Sequence, residues 1–133
     1  MYLFDTNIIL ELLLDQDRAE EVERFLRNTS PEQLYLSEFA LYSLGIILFR
    51  YRRHDAFLQI VQDLLTTNRI RLVRLGEAET QSIVRAARRF NLDFDDAYQY
   101  VTAERYNLTI VSFDGDFDRT ERGRRTPEAV LAG

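Results

Sequence analysis

Apolar residues in this chain come in short runs that stop abruptly on polar ones, and the spacing between apolar positions changes along the sequence. Tyr2-Leu3-Phe4 stops at Asp5, Leu34-Tyr35-Leu36 stops at Ser37-Glu38, and Leu108 to Val111 stops at Ser112-Phe113-Asp114. Such bounded runs predict buried strands. Ile70 to Leu75 alternates apolar residues with arginine and predicts a fourth strand. Between these runs the apolar period lengthens to that of a helix. Helices are expected over Ile8 to Leu14, capped by Thr6 or Asn7, and from about Arg18 to Leu26. Others are expected from a Ser37 cap to about Arg52, from His54 to Thr67, and from Gly76 to about Phe90. Asp95 or Asp96 opens the next, through Tyr106, and Pro127 starts a short terminal one.

Strands that alternate with helices predict an α/β fold, with a mostly parallel sheet covered by helices on both faces. Ligands in such folds bind beyond the carboxyl ends of the strands. The acids that close the apolar runs therefore become candidates for chemistry. Asp5 and Asp114 would lie just past strands, and Glu38 and Asp96 would reach the same edge from the first turns of helices. Asp116 follows in the turn after Asp114. No internal repeat or linker interrupts the pattern, so residues 1–133 are expected to form one domain.

Composition narrows this further. With 46% hydrophobic and 29% charged residues the chain reads as soluble and globular. A net charge of -5 argues against nucleic-acid binding through a uniformly basic surface. All 17 basic residues are arginine, whose planar fork suits bidentate phosphate contact. Three clusters are candidate backbone contacts: Arg50, Arg52 and Arg53; Arg85, Arg88 and Arg89; Arg122, Arg124 and Arg125. The absence of cysteine excludes disulfides, thiolate metal sites and a thiol nucleophile. It fits a reducing compartment. The first strand begins at once, which leaves no room for a secretory leader, and the longest apolar stretch, Phe39 to Phe49, is too short to span a bilayer. A cytoplasmic protein without membrane contact is expected.

Carboxylates gathered within a few ångströms repel one another and take up protons unless a cation intervenes. Hard dications such as Mg²⁺ and Mn²⁺ prefer oxygen ligands, and a pair of them suits phosphodiester hydrolysis. Each acid also has an ordinary explanation, since Asp and Glu favour helix first turns and aspartate is common in turns. Their coincidence along one predicted edge favours metal binding. Nothing suggests a Ser–His pairing, and His54, the only histidine, reads as a surface or capping residue. A dehalogenase-type phosphatase would need an aspartate where Asn7 stands, and a phosphate-receiver domain would need a lysine.

Phe4-Asp5-Thr6-Asn7 resembles the opening of PIN-domain nucleases, and Ser37-Glu38 resembles their second acidic motif. Leu92-Asp93-Phe94-Asp95-Asp96-Ala97-Tyr98 is similar to the third, and Ile110 to Phe117 to the fourth. The resemblance covers the whole chain and implies a PIN-like three-layer sandwich. It implies an Mg²⁺- or Mn²⁺-dependent ribonuclease of the VapC toxin type, with a protein antitoxin and a homodimeric assembly as partners. Asp5, Glu38, Asp96 and Asp114 would hold metal, and Asp116 would be an auxiliary acid. Thr6, Asn7 and Ser112 would orient the metal-holding groups or water. Asp95 remains an alternative to Asp96. A PIN-like module that binds without catalysis is the competing reading.

Overall fold

A computed structural model describes residues 1–133. Its centre is a four-stranded sheet of β1 (Tyr2–Phe4), β2 (Leu34–Ser37), β3 (Arg71–Val73) and β4 (Thr109–Val111), in the order β3-β2-β1-β4. Every pairing is parallel, so the expected mostly parallel sheet is wholly so. The connections carry α1 (Thr6–Leu13), α2 (Ala19–Asn28), α3 (Glu38–Arg50), α4 (His54–Ile60), α5 (Thr80–Phe90) and α6 (Phe94–Tyr106). The chain ends in α7 (Pro127–Ala132). No helix is long and apolar enough to cross a membrane.

Strand alternation builds the three layers. Leu3, Tyr35, Val73 and Ile110 point to one face, where they join Ile83 and Ala86 of α5 and Ala97, Tyr100 and Val101 of α6. Phe4, Leu34, Leu36 and Val111 point to the other, with Ile8 and Ile9 of α1, Val22 and Phe25 of α2 and Ala40, Leu41 and Leu44 of α3. A parallel sheet exposes apolar side chains on both faces, so two helical layers are obligatory. The strand order reverses between β1 and β4: the chain runs from β1 outward to β2 and β3, then crosses to the far side for β4. The crevice at such a reversal is where open α/β sheets bind ligands.

Several expected boundaries shift for local reasons. α3 ends at Arg50 because Arg52 adopts a left-handed conformation at φ +57°, which a continuing helix excludes. The helix expected over His54 to Thr67 changes pitch: α4 stops at Ile60 and residues Val61–Thr67 form a π-helical segment. Ile60, Val61, Leu64 and Leu65 all still face the core. The fourth predicted strand shrinks to three residues at the sheet edge. A short 3₁₀ turn, Glu77–Glu79, precedes α5, where a helix from Gly76 was expected. α6 opens at Phe94, ahead of both aspartates proposed to open it. His54 is exposed, as expected, with its ring 4.2 Å from that of Phe49.

Candidate active site

Register brings the acidic ends together. Phe4 pairs with Val111, and the Asp5 amide then donates to the Val111 carbonyl at 2.9 Å. Asp5, the residue after β1, is thus set beside Ser112, the residue after β4. Asp5 also caps α1 itself, where Thr6 or Asn7 was expected to, its Oδ1 accepting from the Thr6 amide at 2.8 Å. Its Oδ2 accepts from Ser112 Oγ at 2.8 Å and from Asn7 Nδ2 at 3.4 Å. Ser112 Oγ in turn accepts from Asn7 Nδ2 at 3.2 Å and from the Asp114 amide at 2.9 Å. One hydroxyl therefore ties the Asp5 carboxylate to the turn that carries Asp114. The expected neighbours Asn7 and Ser112 do meet Asp5 with their side chains, whereas Thr6 does so through its backbone.

The turn is an acidic one. Asp114 Oδ1 accepts from the Asp116 amide at 2.8 Å, and residues Gly115–Arg119 coil into a 3₁₀ turn. Asp96, Asp114 and Asp116 each offer a carboxylate oxygen, all within 4.8 Å of one another. Asp96 comes from the first turn of α6 and is buried, whereas Asp95 is exposed, lines the same cleft, and its Oδ1 accepts from the Asp96 amide at 3.1 Å. Of the two adjacent aspartates, Asp96 is the one gathered with Asp114. Asp116 is also bridged to Arg119 at 3.0 Å, on the protein's surface. Glu38 occupies the first position of α3, as expected, and is half-buried. It stands outside the three gathered carboxylates.

The charges are poorly compensated. Burial raises the Asp5 pKa, while hydrogen bonds from Ser112, Thr6 and Gln99 oppose the rise and the Asp114 charge adds to it. The Asp96 carboxyl is pushed up to about 8, first by burial and then by the charges of Asp114, Asp95 and Asp5. No salt bridge reaches Asp5, Asp96 or Asp114. Because the fold favours protonated Asp96, its stabilising contribution is complete below the ordinary pKa of 3.8 and lost as pH rises through about 8. Metal-free protein held in EDTA should accordingly melt at lower temperature at about pH 8.5 than at about pH 6. A pH series of melting temperatures would show it.

Asp5, Asp95, Asp96 and Asp114 line a cleft of ≈ 480 Å³ that also includes Asn7, Gln99, Phe39, Ser43, Ile46, Ile47 and Phe94. Gln99 is the polar residue that sequence reasoning missed. It is 2% exposed, its Oε1 accepts from Ser37 Oγ at 2.7 Å, and its Nε2 donates to Asp5 Oδ1 at 3.3 Å. The available signal was a lone amide three residues after Asp96, among Ala97, Tyr100, Val101 and Ala103. The apolar lining was also unforeseen. Phe94 is 58% exposed, and its ring lies 5.7 Å from that of Phe39.

The third arginine cluster has partners within the protein. Arg124 binds the Ser112 carbonyl and Asp118, Arg122 binds Asn107 and the Leu108 carbonyl, and Arg125 binds the Ala129 carbonyl. That cluster fastens the C-terminal segment to the edge of β4, where Ser112 and Arg125 also share a backbone bond. Of the tyrosines of α6, Tyr98 stacks on Phe39 and accepts from the Leu75 amide, Tyr100 is buried, and exposed Tyr106 donates to the Arg74 carbonyl.

The PIN domain family model matches residues 2–123. The chain belongs to the PIN domain family. No curated protein sequence matches it. FitAcB from Neisseria gonorrhoeae superposes with a TM-score of 0.78 at 25% identity, over 96% of this chain and 99% of that one. A toxin–antitoxin complex from Klebsiella pneumoniae gives 0.75 at 21% identity, over 96% and 98%. The sarcin–ricin-loop-cleaving toxin VapC20 of Mycobacterium tuberculosis gives 0.76 at 20% identity, over 89% and 93%. The three-layer architecture of this PIN domain is thus shared along almost the whole of each chain.

Proposed function

We propose that this PIN domain, a single unit over residues 1–133, is a divalent-metal-dependent ribonuclease and the toxin of a toxin–antitoxin pair. The observation that carries this reading is the gathering of Asp96, Asp114 and Asp116 beside buried Asp5, where the one salt bridge to the group is that of Arg119 to Asp116. An all-oxygen donor set of carboxylates fits Mg²⁺ or Mn²⁺ and not a soft metal. Asp5, Asp96 and Asp114 hold the ion, with Glu38 completing the set from α3 and Asp116 as an auxiliary acid. Thr6, Asn7 and Ser112 orient Asp5. When bound, the dication supplies the positive charge on which a phosphodiester can be hydrolysed. The reaction is addition of water to phosphorus with loss of the 3′ oxygen, leaving a 5′-phosphate and a 3′-hydroxyl.

Family membership supports nuclease chemistry, and the toxin–antitoxin neighbour supports a protein antitoxin. The exposed stripe of Tyr42, Ile46 and Phe49 on α3, with Leu58 beyond it, supplies apolar surface for an antitoxin or for a homodimer. Cytoplasmic action follows from an RNA substrate. The test is cleavage of a mixed RNA pool by purified protein in Mg²⁺, Mn²⁺ or EDTA. Cleavage is expected in either metal and lost in EDTA. A protein that neither cleaves RNA nor gains thermal stability from millimolar Mn²⁺ would be a binding module instead.

A further inference from the structure

The polar chain behind the acidic cluster has a direction. Ser37 Oγ accepts from the Ala40 amide at 3.0 Å, which turns its own proton toward Gln99 Oε1 at 2.7 Å. The Gln99 carboxamide is then held with its oxygen toward Ser37 and its Nε2 toward Asp5 Oδ1. The opposite orientation would leave the Ser37 proton facing the carboxamide nitrogen, which cannot accept it. Ser37 is 0% and Gln99 2% exposed, so water does not replace either partner.

Asp5 accepts four hydrogen bonds. Those from Thr6 and Asn7 come from its own helix, and that from Ser112 comes from the end of β4. Gln99 alone among these donors belongs to α6, the helix that carries Asp96 one turn earlier. A residue needed there only to fill space would be apolar, since a buried amide has to find partners for its polar atoms. Gln99 links the ends of β1 and β2 to α6 at the level of the acids.

We propose that Gln99, held by Ser37, is a positioning residue that fixes the Asp5 carboxylate relative to Asp96 in the geometry that binds metal. This rests on the metal-dependent reading above. Gln99 itself would not touch the ion. It acts as the outer partner of a ligand, a role whose loss typically costs 10–100-fold in metal affinity.

The test compares wild type with Gln99→Leu and with Gln99→Met, which keeps the length of the side chain if the branched one disturbs folding. Mn²⁺ affinity is measured by titration calorimetry, together with the metal-free melting temperature and the Mn²⁺ dependence of RNA cleavage. The expected result is affinity weakened about 10-fold or more, with a melting temperature within a few degrees of wild type. Cleavage should then need correspondingly more Mn²⁺ and recover when the metal is saturating. Unchanged affinity in both variants would overturn the proposal. So would affinity lost only alongside a drop of about 10 °C or more in both, which would make Gln99 a packing residue. Wild type that binds no Mn²⁺ overturns the metal site and this inference together. Wild type that binds Mn²⁺ but cleaves no RNA overturns only the nuclease reading, and Gln99 is then judged on affinity.

Discussion

Asp96→Asn is expected to leave a protein that melts at higher temperature without metal and no longer cleaves RNA. The two effects have one cause. Burial first, and then the charges of Asp114, Asp95 and Asp5, push the Asp96 carboxyl up to about 8. Near neutral pH the fold therefore holds a carboxylate under strain from its neighbours, or takes up a proton to relieve it. Asparagine has nearly the same shape and no charge, so the repulsion disappears. At about pH 8 the metal-free midpoint should rise by a few degrees, with about 1 kcal/mol corresponding to roughly 4 °C at this size. The pH dependence of melting should flatten as well, because the group responsible for much of it is gone. The same charge is what a dication needs. Removing it should abolish the stabilisation that wild type gains from Mn²⁺ and lower RNA cleavage more than ~100-fold, beyond what loss of an outer partner costs. Melting curves in EDTA and in Mn²⁺, beside an RNA cleavage assay, check both signs. A variant less stable than wild type in EDTA would show that Asp96 serves the fold, and full activity would remove it from the site.

The parts of this site that could be read in the sequence are those fixed by one element at a time. An apolar triplet ending in Asp5 dictates a buried strand with a carboxylate at its end, and β4 with Ser112 and Asp114 repeats the pattern. Ser37 was legible as a cap because its hydroxyl serves its own helix, at the Ala40 amide. What pattern could not supply is the identity of the neighbour across a gap. Whether Asp95 or Asp96 turns inward depends on where α6 begins, and one residue of shift rotates a helix by about 100°. Gln99 looked like any glutamine until α6 was laid against the ends of β1 and β2. The Arg122, Arg124 and Arg125 cluster read as free charge because each arginine is held by a backbone carbonyl, of Leu108, Ser112 and Ala129, which carries no sequence signal. The π-helical segment after α4 was hidden for a related reason. Its apolar positions serve the core at either pitch, so hydrophobic spacing does not distinguish them.

Phe117→Ala should have the largest effect on stability, and it should reach the site from below. Phe117 is fully buried in the cluster that contains Leu3, Leu92, Tyr100 and Ile110. It sits in the 3₁₀ turn Gly115–Arg119, one residue after Asp116 and three after Asp114. The turn is closed behind it, where the Thr120 amide and hydroxyl both donate to the Phe117 carbonyl, at 3.0 and 2.6 Å. Truncating a buried phenylalanine costs about 3–5 kcal/mol, through lost burial and the cavity left behind. That is a large share of the total stability of an ordinary domain. Denaturant unfolding should show an earlier midpoint with little change of slope, since the folded state stays compact. A specific consequence separates this from general weakening. The acidic turn is anchored in the core through Phe117, whereas its hydrogen bonds tie it to Ser112 at the neighbouring strand end and, through Arg119, to the Phe90 and Asn91 carbonyls at the end of α5. Loosening the anchor should lower Mn²⁺ affinity at temperatures where the variant is still folded. Phe117→Leu, which refills most of the space, should recover much of both. If Phe117→Ala loses stability but binds Mn²⁺ as wild type does, the turn is held by its hydrogen bonds alone. The core beneath Asp114 and Asp116 would then be supporting the fold without placing the acids.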